Sequence, residues 1–380
     1  MVYLKPMKIG IVCPYNILKG GGVQEHVRAL HAELLLRGYD AKIITPQPRD
    51  SETLEMPHVI FVGTSTDFRS PTHTSLQIST SVSGDKIAQV LDREQFDILH
   101  FHEPWVPDLS RQILTHSNAI NIATFHAKIP ETIMSRSIVK VVTPYMKSVL
   151  KYFHLYTAVS ASAVEYARSL TDEPIAIVPN GIDLTSYRQT KKRSSSPELK
   201  CILYIGRLER RKGVKYLLQA YKILSAADPK VRLIIAGDGP DREKLELLAE
   251  DLQLPNVEFL GYISDKQKHE LLATADLFCS PAVFGESFGI VLLEAMATGL
   301  VTVAGNNSGY RDLMSGLGAI SIVDPHDHEE FARRLQLLLN EPKLRAIWQD
   351  WAADYVKQYS YKKIVDSYEQ LYLQIMRRHG

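Results

Sequence analysis

The fold is decided by the stretch Leu277-Phe-Cys-Ser-Pro-Ala-Val-Phe-Gly-Glu-Ser-Phe-Gly-Ile-Val-Leu-Leu-Glu294. Its first four residues form a short apolar run that predicts a buried strand. A loop with glycine and polar residues follows, and the next apolar run predicts a helix over Phe288–Ala297. A strand, such a loop and a helix in succession indicate a parallel sheet with helices on its faces.

The same unit recurs along both halves of the chain. In the first half, the predicted strands are Lys8–Pro14, Ala41–Thr45, Val59–Val62, Asp97–His102, Ile120–Phe125, Thr157–Ser160 and Ile175–Pro179. In the second half, they are Cys201–Ile205, Arg232–Ala236, Val257–Leu260, Leu277–Ser280, Val301–Ala304 and Ile320–Val323. Each half is therefore predicted to be a Rossmann-like α/β domain.

The length of 380 residues suits two such domains. Between the halves, Lys191–Glu198 is a charged, serine-rich stretch with a proline and no periodicity, which is typical of a linker. We predict an N-terminal domain over residues 1–193 and a C-terminal domain over residues 194–360, facing a central cleft. Residues 361–380 are predicted to form a helix that crosses back to the N-terminal domain.

Composition and cysteine usage exclude several classes of protein. The chain is 45% hydrophobic and 23% charged, as globular domains are, and its net charge of +1 predicts no nucleic-acid partner. The three cysteines Cys13, Cys201 and Cys279 are far apart in apolar runs, so we expect no disulfide framework and a reducing cytosol. No apolar run has the length of a signal peptide or a membrane span, which predicts a soluble or peripheral protein.

Glycines precede the first predicted helix, Val23–Tyr39. The N–H groups of Gly20, Gly21 and Gly22 could approach a phosphate, although a turn that merely needs glycine would look the same. Glu25 occupies the third glycine position of the dinucleotide fingerprint. A nicotinamide dehydrogenase is therefore disfavoured.

Two glutamates flank the start of the helix Phe288–Ala297. Eight residues, a little over two helical turns, separate Glu286 from Glu294, so we expect them to point roughly the same way at different depths, one at a sugar and one at a ribose. Taken singly, Glu286 could be a helix cap and Glu294 a surface acid. The N-terminus of this helix, which lies between the two glutamates, has a partial positive charge. An anionic diphosphate could bind there to the N–H groups of Phe288, Gly289, Ile290 and Val291.

A basic loop follows the predicted strand Cys201–Ile205. Cations at the carboxyl end of a parallel strand, here Arg207 and Lys212, could clamp two phosphates and stabilise a departing nucleotide, and a solvated basic loop is the alternative. The chain has no Asp-x-Asp sequence and no His, Cys or carboxylate spacing typical of a metal site. We therefore expect the protein itself to neutralise the leaving-group charge, without Mg²⁺.

Histidines end two predicted strands of the first half. His126 ends Ala123-Thr-Phe-His126, while His100 and His102 end the strand that begins at Asp97. A histidine at this sheet edge could hydrogen-bond a sugar hydroxyl or hold the substrate for attack. A structural role is the alternative, and we favour it for His100 and His102 but not for His126.

Taken together, these segments resemble glycosyltransferase family 4, whose fold is GT-B, over almost the whole chain, with mannosyltransferases of that family as the nearest likeness. The shared segments are Ile11–Tyr15, Gly21–His26, Leu99–Pro104, Ala123–His126, Val178–Asp183, Gly206–Arg207, Arg211–Gly213 and Gly285–Met296. The resemblance implies a retaining hexosyltransferase that uses a nucleotide sugar, GDP-mannose or a UDP-sugar, with no cofactor. Front-face departure, with the leaving phosphate as base, requires no protein nucleophile.

The resemblance also implies roles for single residues. Glu286 would contact hydroxyls of the transferred sugar, His126 would contact that sugar near the anomeric carbon, and Arg207 and Lys212 would hold the diphosphate. Glu294 would contact the ribose. The residues around the donor would be Gly21, Gly22, Phe288, Gly289, Ile290, Val291 and Glu294.

On the acceptor side, the resemblance places Tyr15 and Gln24, with a glycan, polyol or glycolipid as acceptor. The family's mannosyltransferase that this chain most resembles contacts the membrane through a basic amphipathic helix. The corresponding segment here, Gly84–Phe96, has no excess of basic residues. A later stretch, Lys128–Tyr156, could instead dock on anionic lipid at the inner face of the cell membrane, or be an ordinary surface helix. Its basic and aromatic residues include Lys128, Arg136, Lys140, Tyr145, Lys147, Lys151, Tyr152 and Phe153.

Two other functions suit the same fold. A nucleotide-sugar 2-epimerase would need acid and base residues at the sugar instead of an acceptor site. A non-catalytic sugar-nucleotide-binding module would be expected to have lost Glu286, Arg207 or Lys212, and the sequence keeps all three.

Overall fold

The computed structural model describes residues 6–48, 54–69, 75–80, 83–104, 106, 108–126, 143–188 and 199–379. Contacts divide the chain into a first unit, Met1–Gly181 with Tyr361–Gly380, and a second unit, Ile182–Ser360. The predicted boundary at residues 193/194, with its linker, lies outside the described residues. The division instead comes before Ile182, because residues 182–188 pack on the second unit.

The first unit contains an eight-stranded sheet. Its strands are β1 (Lys8–Val12), β2 (Asp40–Gln47), β3 (Val59–Arg69), β4 (Ser75–Thr80), β5 (Ile98–His102), β6 (Ile120–Phe125), β7 (Leu155–Ala158) and β8 (Ile175–Ile177). Their order is β4-β3-β2-β1-β5-β6-β7-β8, and only β3 and β4 pair antiparallel. The sequence predicted seven of these strands and missed β4.

Several helices of the first unit have both ends within the described residues. They are α1 (Gly22–Leu36), α2 (Gly84–Glu94), α3 (Leu109–His116), α4 (Ala161–Arg168) and the last helix of the chain, α13 (Tyr361–His379). Helix α13 packs on the first unit because Ile364, Tyr368, Tyr372 and Ile375 repeat at helical spacing and are buried in one apolar cluster with β1 and α1.

The second unit contains a six-stranded parallel sheet. Its strands are β9 (Lys200–Ile205), β10 (Val231–Ala236), β11 (Val257–Gly261), β12 (Leu277–Ser280), β13 (Thr302–Gly305) and β14 (Ile322–Val323), in the order β11-β10-β9-β12-β13-β14. Its helices are α5 (Leu184–Arg188), α6 (Val214–Ala227), α7 (Arg242–Asp251), α8 (Asp265–Thr274), α9 (Ile290–Ala297), α10 (Ser308–Leu313), α11 (His328–Asn340) and α12 (Pro342–Tyr355). Two doubly wound α/β units agree with the predicted fold class.

In each sheet there is one pair of neighbouring strands at which the order of strand addition reverses. In the first sheet the order reverses between β1 and β5, and in the second between β9 and β12. Loops that leave the carboxyl ends of two such strands turn to opposite faces of the sheet, which opens a crevice for ligands. The three cysteines are all free and buried.

Candidate active site

Two loops meet at the carboxyl edge of the second sheet. Strands β9 and β12 pair in parallel, so residues 206–213 and 281–289 leave the same edge. The loops approach so closely that a Cβ on Gly213 would lie 2.1 Å from the carbonyl oxygen of Pro281, and Gly213 has a φ of +71°. Only glycine fits at this position, which brings the side chains of the two loops together.

Glu286 is held between two cations of the neighbouring loop. Its Oε1 lies 2.5 Å from Arg211 Nη1 and 2.7 Å from Lys212 Nζ. Burial alone would raise the pKa of Glu286, but the charges of Lys212 and Arg211 outweigh it and lower that pKa. The carboxylate is therefore ionised at neutral pH, and this ion cluster is more than the helix cap that was the alternative for Glu286.

A second carboxylate continues the ion cluster. The side chain of Glu209 is only 4% exposed and lies 2.8 Å from Arg211 Nε and 2.7 Å from Arg207 Nε. Arg207 is the outermost cation, with 43% of its side chain exposed. The predicted pair Arg207 and Lys212 thus lies in one loop, with one carboxylate paired to each.

The helix after this loop begins later than predicted. Gly289 is its N-cap, with a φ of +104°, and α9 begins at Ile290 instead of Phe288. The expectation that Glu286 and Glu294 are spaced by two helical turns is therefore wrong, because Glu286 lies in the loop. Glycine in the left-handed region allows the chain to turn sharply into the helix.

Because the helix begins at Ile290, the four residues predicted to offer N–H groups do not all lie in its first turn. Ile290 and Val291 lie in the first turn of α9, where N–H groups have no carbonyl partner within the helix, and Gly289 caps it. Phe288 precedes the helix, and its side chain is 7% exposed with its ring 5.7 Å from that of Tyr359.

Glu294 lies one helical turn further on and is not a surface acid. It is 6% exposed, and its Oε1 lies 2.7 Å from both Tyr187 Oη and Lys268 Nζ. These partners come from α5 and α8, which both precede α9 in the chain. Glu294 thus has its own set of contacts, separate from the ion cluster of Glu286.

In the first unit, the predicted glycines form the start of α1. Gly21 is the N-cap and Gly22 the first helical residue. The amide of Gln24 folds back over Gly21, where a Cβ would lie 2.4 Å from Gln24 Oε1. Tyr15 is 5% exposed and belongs to the apolar core. An acceptor contact by Tyr15 stays a prediction, since in this structure its side chain is buried.

His126 lies in a cluster of buried histidines at the carboxyl edge of the first sheet. Its Nε2 is 2.8 Å from His102 Nδ1, and its backbone N–H donates to Glu103 Oε1 at 3.1 Å. The ring of His26 lies 5.1 Å away. Burial and the neighbouring histidines lower the pKa of His126 well below its usual value, so the ring is a neutral hydrogen-bonding group.

His100 has the structural role that the sequence favoured for it. Its Nδ1 lies 2.7 Å from Tyr372 Oη on α13, and its Nε2 lies 2.6 Å from Thr124 Oγ1. Both ring nitrogens are thereby satisfied, and burial lowers the pKa of His100 to about 3. His102, by contrast, contacts His126 directly, and the structural role favoured for it stays a prediction.

Sequence reasoning missed several residues that contact the predicted ones. Arg211 and Glu209 lie in the basic loop, and the density of charge there was the available signal. Lys268 and Tyr187 reach Glu294 from distant elements, and no local pattern marks them. No local sequence pattern indicates that His26 lies beside His102 and His126, because this proximity depends on where β5 and β6 end.

The basic, aromatic stretch predicted to meet lipid is described only from residue 143 onward, so Lys128, Arg136 and Lys140 lie outside the described residues. Phe153 is not available for lipid, because it is 8% exposed and its ring lies 5.2 Å from that of Phe101. Lys147 and Lys151 are exposed. Within the part of the chain that the structure describes, no helix is long and apolar enough to cross a membrane.

Known families cover both units of the chain. Residues 20–186 match the profile described as Glycosyltransferase Family 4, and residues 187–354 match the profile described as Glycosyl transferases group 1. Together the two matches include the histidine cluster, the basic loop and both glutamates.

Similar proteins and structures extend over nearly the whole chain. Phosphatidyl-myo-inositol mannosyltransferase of Mycolicibacterium smegmatis is 30% identical over 361 residues, 94% of this chain and 91% of that protein. N-acetyl-alpha-D-glucosaminyl L-malate synthase of Bacillus anthracis is 28% identical and covers 98% of both chains. Among solved structures, sucrose-phosphate synthase from Thermosynechococcus elongatus has a TM-score of 0.76 at 19% identity, covering 98% of this chain and 100% of its own. Anabaena HepE with UDP-glucose has a TM-score of 0.72 at 18% identity, covering 96% and 99%.

Proposed function

Since the chain belongs to glycosyltransferase family 4, and is thus a hexosyltransferase of GT-B fold, we propose that it moves mannose from GDP-mannose onto a glycan, polyol or glycolipid acceptor. A UDP-sugar is the alternative donor. The choice of mannose rests on similarity to phosphatidyl-myo-inositol mannosyltransferases, which the M. smegmatis protein represents.

The observation that carries the proposal is the ion cluster of Glu286 with Arg211 and Lys212. A buried carboxylate accepts hydrogen bonds from sugar hydroxyls, and two adjacent cations attract a diphosphate. The cluster lies at the strand-order reversal between β9 and β12, where ligands bind in open α/β sheets. One site can therefore hold both the sugar and the diphosphate of a donor.

In the proposed reaction, the bond between the anomeric carbon and the diphosphate oxygen breaks, and its electron pair stays on that oxygen. Lys212, Arg207 and the N-terminus of α9 stabilise the growing negative charge. The acceptor hydroxyl attacks the anomeric carbon from the same face, and its proton passes to the leaving phosphate. This order of reaction steps retains the anomeric configuration and uses no protein nucleophile.

The protein would supply this stabilisation without a cofactor and without Mg²⁺. Three cations, Arg207, Arg211 and Lys212, follow one another along the basic loop. Two of them are only 19% and 14% exposed, and electrostatic attraction is stronger away from bulk water. Their combined charge supports a metal-independent departure of the nucleotide.

The acceptor is either lipid-linked or a soluble glycan or polyol. The two relatives differ in this respect by name, since one acts on phosphatidyl-myo-inositol and the other makes a glucosaminyl malate. The exposed Lys147 and Lys151 support contact with an anionic membrane surface at its cytoplasmic face. Gln24, at the start of α1, is the side chain that we place nearest the acceptor.

The direct test is to incubate the purified chain with a panel of nucleotide sugars and candidate acceptors. Transfer or slow donor hydrolysis is expected with GDP-mannose, and Glu286→Ala is expected to abolish it. The proposal fails if no donor is consumed, or if Glu286→Ala matches the wild type. Free epimerised sugar nucleotide, formed without acceptor, would indicate the 2-epimerase instead.

The membrane part of the proposal needs a separate measurement. In a co-sedimentation assay, phosphatidylserine vesicles should bind the chain at low salt and release it at high salt. Replacing Lys147 and Lys151 by glutamine should weaken this binding, while Lys222→Gln, on the second unit, should not. Binding that is absent or insensitive to salt would favour a soluble acceptor.

A further inference from the structure

Three buried imidazoles converge at the carboxyl edge of the first sheet. His26 comes from α1, His102 ends β5, and His126 follows β6, with exposures of 0%, 0% and 8%. Their ring centroids form a nearly equilateral triangle, with His26 5.3 Å from His102 and 5.1 Å from His126, and the last two 5.1 Å apart. One ring nitrogen of each lies within 4.8 Å of the other two.

This triangle has the size of a tetrahedral trihistidine metal site. Zinc lies about 2.0–2.1 Å from a ligating imidazole nitrogen, and hence about 3.2 Å from the ring centroid. At tetrahedral angles, three such rings have centroids about 5.2 Å apart. The rings of this cluster are therefore already at the required separation, and they need only turn about their side-chain bonds to aim one nitrogen each at a common centre.

The cluster also contains unsatisfied nitrogens. Among the described residues, both ring nitrogens of His26 and Nε2 of His102 have no hydrogen-bond partner. Buried polar atoms are almost always hydrogen-bonded, because a dry, unpaired nitrogen has lost its water without compensation. A metal ion at the centre of the triangle would satisfy lone pairs that these nitrogens otherwise leave unused.

The protonation state of the cluster suits coordination. Burial lowers the pKa of His26 to about 4, and burial together with the neighbouring histidines lowers the pKa values of His102 and His126 well below their usual value. At neutral pH each ring is therefore uncharged, and a neutral imidazole is the form that binds a metal. No carboxylate is needed, since three histidines and a water complete a tetrahedral zinc shell.

We propose that His26, His102 and His126 form a binding site for a divalent transition-metal ion of the zinc class, with water as the fourth ligand. Nitrogen ligands favour Zn²⁺, Co²⁺, Ni²⁺ or Cu²⁺ over Mg²⁺ and Ca²⁺, which prefer oxygen. The ion has no part in neutralising the diphosphate. It occupies the lone pair of His126, so a loaded site withholds that imidazole from the sugar.

The test uses the whole chain without a histidine tag, stripped with EDTA, dialysed and titrated with Co²⁺. One equivalent should bind and give the strong visible absorption of four-coordinate Co²⁺, and Zn²⁺ should abolish that absorption. His26→Asn and His102→Gln should each weaken Co²⁺ binding about tenfold or more. His116→Asn, at an exposed histidine on α3, is the matched control and should leave binding intact.

The proposal is overturned if the wild type gives no such absorption, or if folded His26→Asn and His102→Gln give it unchanged. Circular dichroism and melting curves establish that each variant is folded. Two positions are replaced separately, so that the test still stands if one of the variants misfolds. Inhibition of transfer by Zn²⁺, reversed by chelator, would extend the inference but rests on the proposed function. The Co²⁺ titration does not involve a donor, so failure of either idea can be told from failure of the other.

Discussion

Glu286 Oε1 lies 2.7 Å from Lys212 Nζ, although the two residues belong to loops after different strands. Arg211 Nη1 approaches the same oxygen atom, at 2.5 Å. A carboxylate shared by two cations keeps its charge and holds both cations in place. This relationship ties the sugar-binding and phosphate-binding functions of the proposed site to one side chain.

Replacing Glu286 by glutamine should lower kcat/KM for transfer by about 10²–10³, because the charge that orders two cations is lost. It should also destabilise the chain by about 1–3 kcal/mol, since Arg211 and Lys212 are left facing each other. Steady-state kinetics and thermal melting measure the two effects. Glu246→Gln is the control, because Glu246 is a partly exposed partner of Arg242 at 2.8 Å. Equal losses in both variants would contradict the assigned role.

The pH dependence of stability should reveal the same ion cluster. The pKa of Glu286 is lower in the folded chain than its ordinary value of 4.5, so the unfolded chain binds the proton more readily. The stabilisation is therefore complete above pH 4.5 and is lost as the pH falls through the folded-state pKa. The melting-temperature difference between wild type and Glu286→Gln should be constant near neutrality and shrink below pH 4.5. A difference that grows on acidification would be inconsistent with this direction.

Replacing Lys268 by methionine should raise KM for the donor about tenfold with little change in kcat, because Glu294 loses one of its two polar partners and binds the ribose less well. Lys266→Met changes an exposed lysine of the same helix and serves as the control. Kinetics with the donor as the varied substrate separate KM from kcat. A fall in kcat alone would place Lys268 in the chemical step instead.

Replacing Tyr372 by phenylalanine should lower stability by about 1–3 kcal/mol, because buried His100 loses the hydroxyl 2.7 Å from its Nδ1. Donor KM should stay at the wild-type value, since His100 has a structural role. Tyr262→Phe, at a tyrosine that is 86% exposed, should alter neither property. Urea unfolding and donor kinetics test both halves of the expectation, and an altered KM without loss of stability would refute it.

Treatment with EDTA should leave the rate of transfer intact or raise it, because in the proposed mechanism Arg207, Arg211 and Lys212 neutralise the diphosphate without a metal ion. The rate should be compared in chelator, after dialysis, and with Mg²⁺ added back. Strict dependence on added Mg²⁺ would rule out the metal-independent mechanism.

Much of the fold followed from local sequence pattern. Ile120–Phe125 and Leu277–Ser280 have the predicted bounds, because each is a short, mostly apolar segment that is buried in a parallel sheet. Strand β4 was missed, since it is an antiparallel edge strand whose existence depends on pairing with β3. The start of α9 was misplaced by two residues because Gly289 adopts a left-handed conformation that apolar periodicity does not indicate.

The site divides in the same way. Chain position alone put Arg207, Lys212 and Glu286 at strand ends, and parallel strands bring such ends to one edge. Which cation pairs with which carboxylate depended on the approach of two loops at Gly213. Arg211 therefore pairs with both Glu286 and Glu209, and the sequence did not distinguish it from its basic neighbours.

By itself, the sequence determined two α/β units, the loops of the candidate site and the residue types available there, because periodicity and glycine placement are local properties of the chain. Tertiary structure decided the partners: Lys268 and Tyr187 on Glu294, Tyr372 on His100, and His26 beside His102 and His126. Those contacts join residues far apart in the chain. They depend on strand order and helix packing, which are set by burial of apolar surface over a whole unit.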